Sequence, residues 1–340
     1  MIVVMAPGST AQQLEHVVHT VEQMGLTTHV IHGTNRVVVA AVGDKRMVDK
    51  EAVETLPGVE RIVPILAPYK VASREVKPED TAIALSPAGV RVGAGQKIAV
   101  IAGPCSVEDR HSLLDTARAV QEAGGVGLRA GAFKPRTSPY SFQGLGELGL
   151  EYLAEARAQT GLAIVTEVLT VSHVPLVASY ADVLQVGARN MQNFMLLKAV
   201  GEQSKPVLLK RGMSATLEEF LLAAEYVINA GNPNVILCER GIRTFEDYCR
   251  NTLALTVVPA IKRVSHLPVI VDPTHGTGHA YLVEPMSLAA IAAGADGLLI
   301  EVHPDPAHAH TDAAQQIDLS HFRRIMERLA RVAAAVDRAL

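Results

Sequence analysis

From Ile98 onward the chain repeats one two-part unit eight times: a short apolar run, then a stretch with apolar residues at helical spacing. The apolar runs begin near Ile98, Val126, Leu162, Val183, Pro206, Val235, Pro268 and Gly297. HSLLDTARAVQEAGG and TLEEFLLAAEYVINAG are two of the helical partners. A strand joined to the next through a helix is a crossover connection, and such crossovers lay strands parallel. Eight units in about 240 residues match the roughly 250 typical of a (β/α)8 TIM barrel. An open doubly wound sheet shows the same alternation but usually has five or six strands. The repeat therefore predicts a closed α/β barrel over residues 81–340. IALSPAGVRVG, just before the first unit, predicts a hairpin capping the bottom of that barrel.

The first 67 residues follow another pattern. MIVVMA reads as a strand. TAQQLEHVVHTVEQMG sets Leu14, Val17, Val18, Val21 and Met24 at helical spacing and ends at Gly25. LTTHVIHG and RVVVAAVG are strands joined at Gly33-Thr34-Asn35. DKRMVDKEAVETLPG is a second helix closed by Pro57 and Gly58, and VERIVPIL is a fourth strand. The order βαββαβ is that of a small ferredoxin-like domain. Residues 68–80 are polar and contain proline, which suits a linker.

Charge and cysteine usage narrow the classes of function. With a formal net charge of −4, nothing global points to nucleic acid or a membrane surface. No run of 18 apolar residues interrupts the pattern, so no membrane span is expected. MIVVMAPGST lacks the basic start and long apolar run of a signal peptide. Cys105, Cys238 and Cys249 are too few and too scattered for a disulfide framework. They fit a reducing compartment, so a cytoplasmic location is expected.

In barrels of this kind the chemistry sits at the C-terminal ends of the strands. All eight ends are polar here: GPCS (Cys105), LRAGAFKPR (Arg129, Lys134, Arg136), TEV (Glu167), QVGARN (Arg189), LLKRG (Lys210, Arg211), CERG (Glu239, Arg240), VDPTHGTGH (Asp272, His275) and IEVHPDP (Glu301, His303). FKPRTSPYSFQG adds Thr137 and Ser138 on a loop stiffened by Pro135 and Pro139. Four of the eight ends carry Arg or Lys, so a positive rim is expected on an acidic chain. The planar fork of arginine suits phosphate and carboxylate oxygens. The ligand expected there bears several negative charges and more than one phosphate. The competing reading pairs each cation with a rim carboxylate such as Glu167 or Glu239.

A metal is the second expectation. Cys105, His275 and Glu301 end the first, seventh and eighth strands, and the first and eighth become neighbours when a barrel closes. Asp312, in HPDPAHAHTDAAQQ, can reach the same point, as can Asp305 or His303. A Cys/His/Glu/Asp set mixes soft and hard donors and takes manganese, iron, zinc or cobalt. The competing reading makes Cys105 a small buried hydrophobe and His275 a hydrogen-bonded rim histidine.

In this order, GPCS, KPRTSPYSFQG, GARNMQNF, LLKRG, CERGIRTF, VDPTHGTGH and IEVHPDP resemble the type I 3-deoxy-D-arabino-heptulosonate 7-phosphate (DAHP) synthases, beta subgroup. These enzymes carry an N-terminal ferredoxin-like domain, and the resemblance covers essentially the whole chain. It implies condensation of phosphoenolpyruvate with erythrose 4-phosphate and release of phosphate, the first step of the shikimate pathway. Carried over residue by residue, Lys134, Arg136, Thr137 and Ser138 match the loop that receives erythrose 4-phosphate. Arg129, Lys134, Arg189, Lys210 and Arg240 match the phosphoenolpyruvate cluster, with Arg129 nearer the carboxylate. Cys105, His275, Glu301 and Asp312 match the four ligands of a divalent metal ion. Lys134, between the two substrates, is the implied proton donor, with His275 and Cys105 beside it in the chemistry. Arg211 and Arg243 match less decisively. The resemblance also implies a homotetramer feedback-inhibited by tyrosine or phenylalanine bound between small domains, for which His29 to Asn35 offers polar groups. Two rivals remain. One is the related eight-carbon synthase using arabinose 5-phosphate, whose lysine loop normally contains asparagine where this chain has KPRTS. The other is a non-catalytic amino-acid-sensing barrel, against which the intact ligand set stands.

Overall fold

The structure is a computed structural model that describes residues 1–33, 36–43, 49–63, 68–85, 89–134 and 140–340. The chain forms two compact units, Met1–Glu79 with Val264–His266, and Asp80–Arg263 with Leu267–Leu340.

The first unit runs β1 (Ile2–Met5), α1 (Ala11–Gln23), β2 (Thr27–His32), β3 (Val37–Val42), α2 (Lys50–Glu54) and β4 (Val59–Val63). Its sheet has the order β2-β3-β1-β4, and every neighbouring pair is antiparallel. Helix α1 starts at a capping box in which Thr10 and Gln13 each accept the other's backbone N–H, satisfying two donors that the helix leaves open. Strand β1 is buried on both faces, which is why MIVVMA shows no alternation. Val3 and Met5 pack with Val17 and Val21 of α1. Ile2, Val4 and Ala40 face the other way and pack with Val76. Residues 68–79, expected as linker, are thus part of this unit, and Val71, Ala72 and Val76 are buried.

The second unit begins with β5 (Ala82–Ala84) and β6 (Arg91–Gly93), an antiparallel pair. Then come β7 (Ala99–Gly103), α3 (Arg110–Glu122), β8 (Gly127–Arg129), α4 (Glu147–Thr160), β9 (Ala163–Glu167), α5 (Val174–Tyr180), β10 (Val183–Val186) and α6 (Phe194–Gly201). The rest is β11 (Val207–Lys210), α7 (Leu217–Asn229), β12 (Val235–Glu239), α8 (Val257–Val264), β13 (Val269–Val271), α9 (Pro273–Thr277), α10 (Ala280–Ala292), β14 (Gly297–Glu301) and α11 (Leu319–Ala335). Strands β7 to β14 close into one parallel barrel. The closing pair is β14 and β7, in register from Gly297 with Ala99 to Glu301 with Gly103. That register sets the polar residues after β7 beside those ending β14.

Ile83, Leu85 and Val92 of the hairpin share one buried cluster with Ala99, Ala163 and Val183, which begin barrel strands, and with Ile101, Leu208 and Leu299 inside. The hairpin therefore fills the end of the barrel opposite the polar strand ends. Among the described residues no helix is long and apolar enough to cross a membrane.

Candidate active site

Parallel strands place all their C-terminal ends on one rim, and there the structure gathers the polar residues. One thiol or carboxylate atom from each of Cys105, Glu301 and Asp312 lies within 4.8 Å of the others. The Cys105 thiol donates to Asp312 Oδ2 at 3.2 Å. His275 Nε2 is 3.3 Å from Glu301 Oε1 and 4.0 Å from Asp312 Oδ2. One sulfur, one imidazole nitrogen and two carboxylates thus converge, a donor set that fits a divalent transition-metal ion. The alternatives to Asp312 point elsewhere: His303 Nε2 is 3.5 Å from Glu108 Oε2, and Asp305 pairs with His308.

Asp272 organises His275. It caps the short helix α9, accepting the His275 N–H on Oδ1 at 2.9 Å, and its Oδ2 meets Nδ1 of the same ring at 2.7 Å. The same oxygen pairs with Lys210. Burial opposes ionisation of Asp272, yet His275 and Lys210 hold its carboxyl well below the usual range. Burial lowers the basicity of His275 against the pull of Asp272 and Glu301, so the ring is neutral near pH 7 and able to offer a lone pair. Glu301 is also buried, but His275, Arg129 and Lys134 bring its carboxyl down to about 2. Burial, reinforced by Glu301, pushes the Cys105 thiol up to about 12. Lys134 Nζ donates to both the carbonyl and the sulfur of Cys105, each at 3.0 Å.

Beside this group lies a cavity lined by Arg129, Lys134, Arg189, Lys210, Arg240 and Arg250, together with Glu167, Gln185, Gly187, His275 and Asp312. Six cations around one hollow make it a receptor for anions. Several are already balanced, as the competing reading of the rim foresaw. Arg129 pairs with Glu301 at 2.9 Å, and Arg211 turns away from the hollow to Glu239 at 2.9 Å. Arg129 nevertheless keeps a buried Nε that has no hydrogen-bond partner among the described residues, and Gln185 Oε1 is in the same position. Arg240 is buried, while Arg189 stands exposed at the cavity edge. Gly187 lets Glu167 lie close against the backbone there: a Cβ would sit 2.1 Å from Glu167 Oε1 and push that carboxylate aside. Of the expected aldose-phosphate loop, Lys134 lines the hollow, while Arg136, Thr137 and Ser138 lie outside the described residues.

Three participants carried no expected role. Asp272 was visible as a strand end, and its spacing of three from His275 is the signal that could have marked it. Gln315 donates Nε2 to Glu301 Oε2 at 2.6 Å, and Arg250 reaches Asp312 Oδ1 at 3.5 Å. Both sit in aperiodic segments, where the sequence offers no signal.

Comparison with known proteins gives concordant matches. The sequence model of the DAHP synthetase I family matches residues 73–337, and that of the DAHP synthase ferredoxin-like domain matches residues 1–67. A phospho-2-dehydro-3-deoxyheptonate aldolase of Thermotoga maritima is 51% identical over 336 residues, covering 99% of this chain and 98% of the relative. The crystal structure of a Thermotoga maritima phospho-2-dehydro-3-deoxyheptonate aldolase (DAHP synthase) is similar with a TM-score of 0.79 at 50% identity, covering 99% of this chain and 98% of that one. A 2-dehydro-3-deoxyphosphooctonate aldolase of Caulobacter vibrioides is 34% identical over 264 residues, covering 72% of this chain and 90% of the relative.

Proposed function

This chain belongs to the DAHP synthetase I family, and from that premise we propose how its residues share out the reaction. The enzyme condenses phosphoenolpyruvate with erythrose 4-phosphate and water, giving 3-deoxy-D-arabino-heptulosonate 7-phosphate and phosphate in the shikimate pathway. The observation that carries the division of roles is the adjacency of a six-cation hollow and a Cys/His/Glu/Asp group on one barrel rim.

Arg189, Lys210 and Arg240 hold the phosphate of phosphoenolpyruvate, and Arg129, whose Nε has no hydrogen-bond partner among the described residues, serves the carboxylate. Arg136, Thr137 and Ser138 hold the phosphate of erythrose 4-phosphate. Opposed to their mutual repulsion, this clamp brings enol and aldehyde within bonding reach. Cys105, His275, Glu301 and Asp312 hold one divalent ion of the manganese, iron, zinc or cobalt kind. Such an ion supplies Lewis acidity beside the aldehyde. The enol π pair of C3 forms the new carbon–carbon bond, and Lys134 protonates the aldehyde oxygen as it becomes a hydroxyl. Water adds at the electron-poor C2 and gives up one proton, which restores Lys134. The hemiketal phosphate then forms the ketone as the C2–O bond breaks, the hydroxyl proton and the C–O electron pair leaving with inorganic phosphate. The pocket cations balance the charge of the departing phosphate.

The four-carbon aldose is favoured over a five-carbon one by extent of likeness, since the phosphooctonate relative matches 72% of this chain at 34% identity and the heptonate relative 99% at 51%. Phosphate release measured with erythrose 4-phosphate and with arabinose 5-phosphate tests this directly. Turnover is expected with the first and little with the second, and the reverse order overturns the reading. The ferredoxin-like unit acts as the regulatory domain of a cytoplasmic homotetramer and takes tyrosine or phenylalanine as inhibitor. What supports this is the match of residues 1–67 to the ferredoxin-like domain of these synthases.

A further inference from the structure

Arg250 lies in the aperiodic stretch between β12 and α8, yet its surroundings are tightly specified. Its backbone N–H donates to Thr277 O at 2.9 Å, and that of Asn251 donates to Gly276 O at 3.1 Å. The Asn251 side chain donates to His275 O at 3.0 Å. The strand-to-helix segment is therefore pinned along the helix that carries His275. From this anchorage the guanidinium crosses to the loop after β14. Its Nη1 lies 2.9 Å from Gln315 Oε1 and 3.5 Å from Asp312 Oδ1.

Both partners lead to the ligand group. The Gln315 amide donates Nε2 to Glu301 Oε2, a carboxylate oxygen that only accepts, so its own oxygen is left for Arg250. Asp312 has a φ of +51°, a left-handed backbone that is strained for a non-glycine residue unless its surroundings hold it. With Oδ1 on Arg250, its carboxylate presents Oδ2 to Cys105 and His275.

We propose that Arg250 is a positioning residue of the ligand group: it sets the carboxylate plane of Asp312 and, through Gln315, that of Glu301, so that both face one ion. The inference rests on the reading that Cys105, His275, Glu301 and Asp312 hold a divalent metal. It has a consequence opposite in sign to simple electrostatics. A guanidinium repels a divalent cation, so removing it should tighten ion binding if charge were its only effect. Positioning requires the reverse.

The test is cobalt(II) binding to the full-length protein, followed by the visible spectrum and by competition with a chelator, for wild type, Arg250→Met and Arg250→Lys. Wild type should take one ion per chain with a thiolate–cobalt band. Arg250→Met should bind about 10- to 100-fold more weakly, the usual loss for a residue that orients ligands, with altered band positions. Arg250→Lys should lie between, and decides the matter should the methionine variant fold poorly. At saturating cobalt both variants should still take one ion per chain. Unchanged or tighter cobalt binding with the wild-type spectrum overturns the proposal. A wild-type chain that binds no cobalt overturns the ligand reading itself, and this proposal with it.

Discussion

Asp272 Oδ2 sits 2.7 Å from Nδ1 of His275 and is also the partner of Lys210, so one carboxylate oxygen stands between the anion pocket and the ligand group. It takes the Nδ1–H of the ring and leaves the Nε2 lone pair toward Glu301 and Asp312. Asparagine at 272 keeps the shape but not the charge. Asp272→Asn is expected to weaken divalent-ion binding about 10- to 100-fold. It should also destabilise the barrel by about 3–5 kcal/mol, because Lys210 is left as a buried unpaired cation. Chelator competition and denaturant unfolding measure the two effects. An unchanged metal affinity would show that His275 needs no help from Asp272.

Cys105 makes metal binding proton-linked. Its thiol, pushed up to about 12, keeps its proton throughout the neutral range in the metal-free chain. Binding through the sulfur must expel that proton, so affinity rises with pH. His275, its basicity lowered by burial, and Glu301, brought down to about 2, release no proton above neutrality. Between about pH 7 and 9 the logarithm of the binding constant should therefore climb by about one per pH unit, or about 1.4 kcal/mol. Cys105→Ala should bind weakly and lose the slope. A flat profile in the wild type excludes sulfur as a ligand.

Chelator should abolish turnover, and added manganese or a similar divalent ion should restore it. Full activity in a preparation shown by elemental analysis to be metal-free sinks the metal assignment.

The two halves of the pocket should separate in kinetics. Arg240→Ala should raise the KM for phosphoenolpyruvate far more than that for erythrose 4-phosphate, and Arg136→Ala the opposite. Each loses a charge-assisted phosphate contact, worth about 1.5–3 kcal/mol or on the order of 10- to 100-fold. Equal effects on both substrates contradict the division.

Deleting residues 1–79 should leave an active barrel that tyrosine and phenylalanine no longer inhibit, since every residue assigned to the chemistry lies beyond that point. The cut falls at 79 because Val76 packs with Ile2, Val4 and Ala40 in the first unit, so a shorter deletion leaves that apolar anchor without its partners. A full-length enzyme indifferent to both amino acids contradicts the regulatory role.

The barrel was legible because its parallel strands, buried on both faces, read as unbroken apolar runs, and each run ended in a polar residue. Cys105 and Glu301 were legible as neighbours because barrel closure alone makes β7 and β14 adjacent. Arg250 and Gln315 were not: their meeting depends on how two irregular loops cross, and no period encodes that. The stretch 68–79 misled through averaging. It is polar overall, and buried Val76 packs it on the sheet. Arg211, which matches the family pattern less decisively, pairs with Glu239 as the competing reading of the rim allowed.

The hairpin of Ile83, Leu85 and Val92 gives the barrel a floor. Among the described residues what remains is a cup, open at the polar strand ends. Ions, both sugar-derived reactants, the seven-carbon product and the freed phosphate all have to pass the same lip of loops. Filling and emptying therefore alternate, and a molecule lodged near the lip detains whatever lies beneath it.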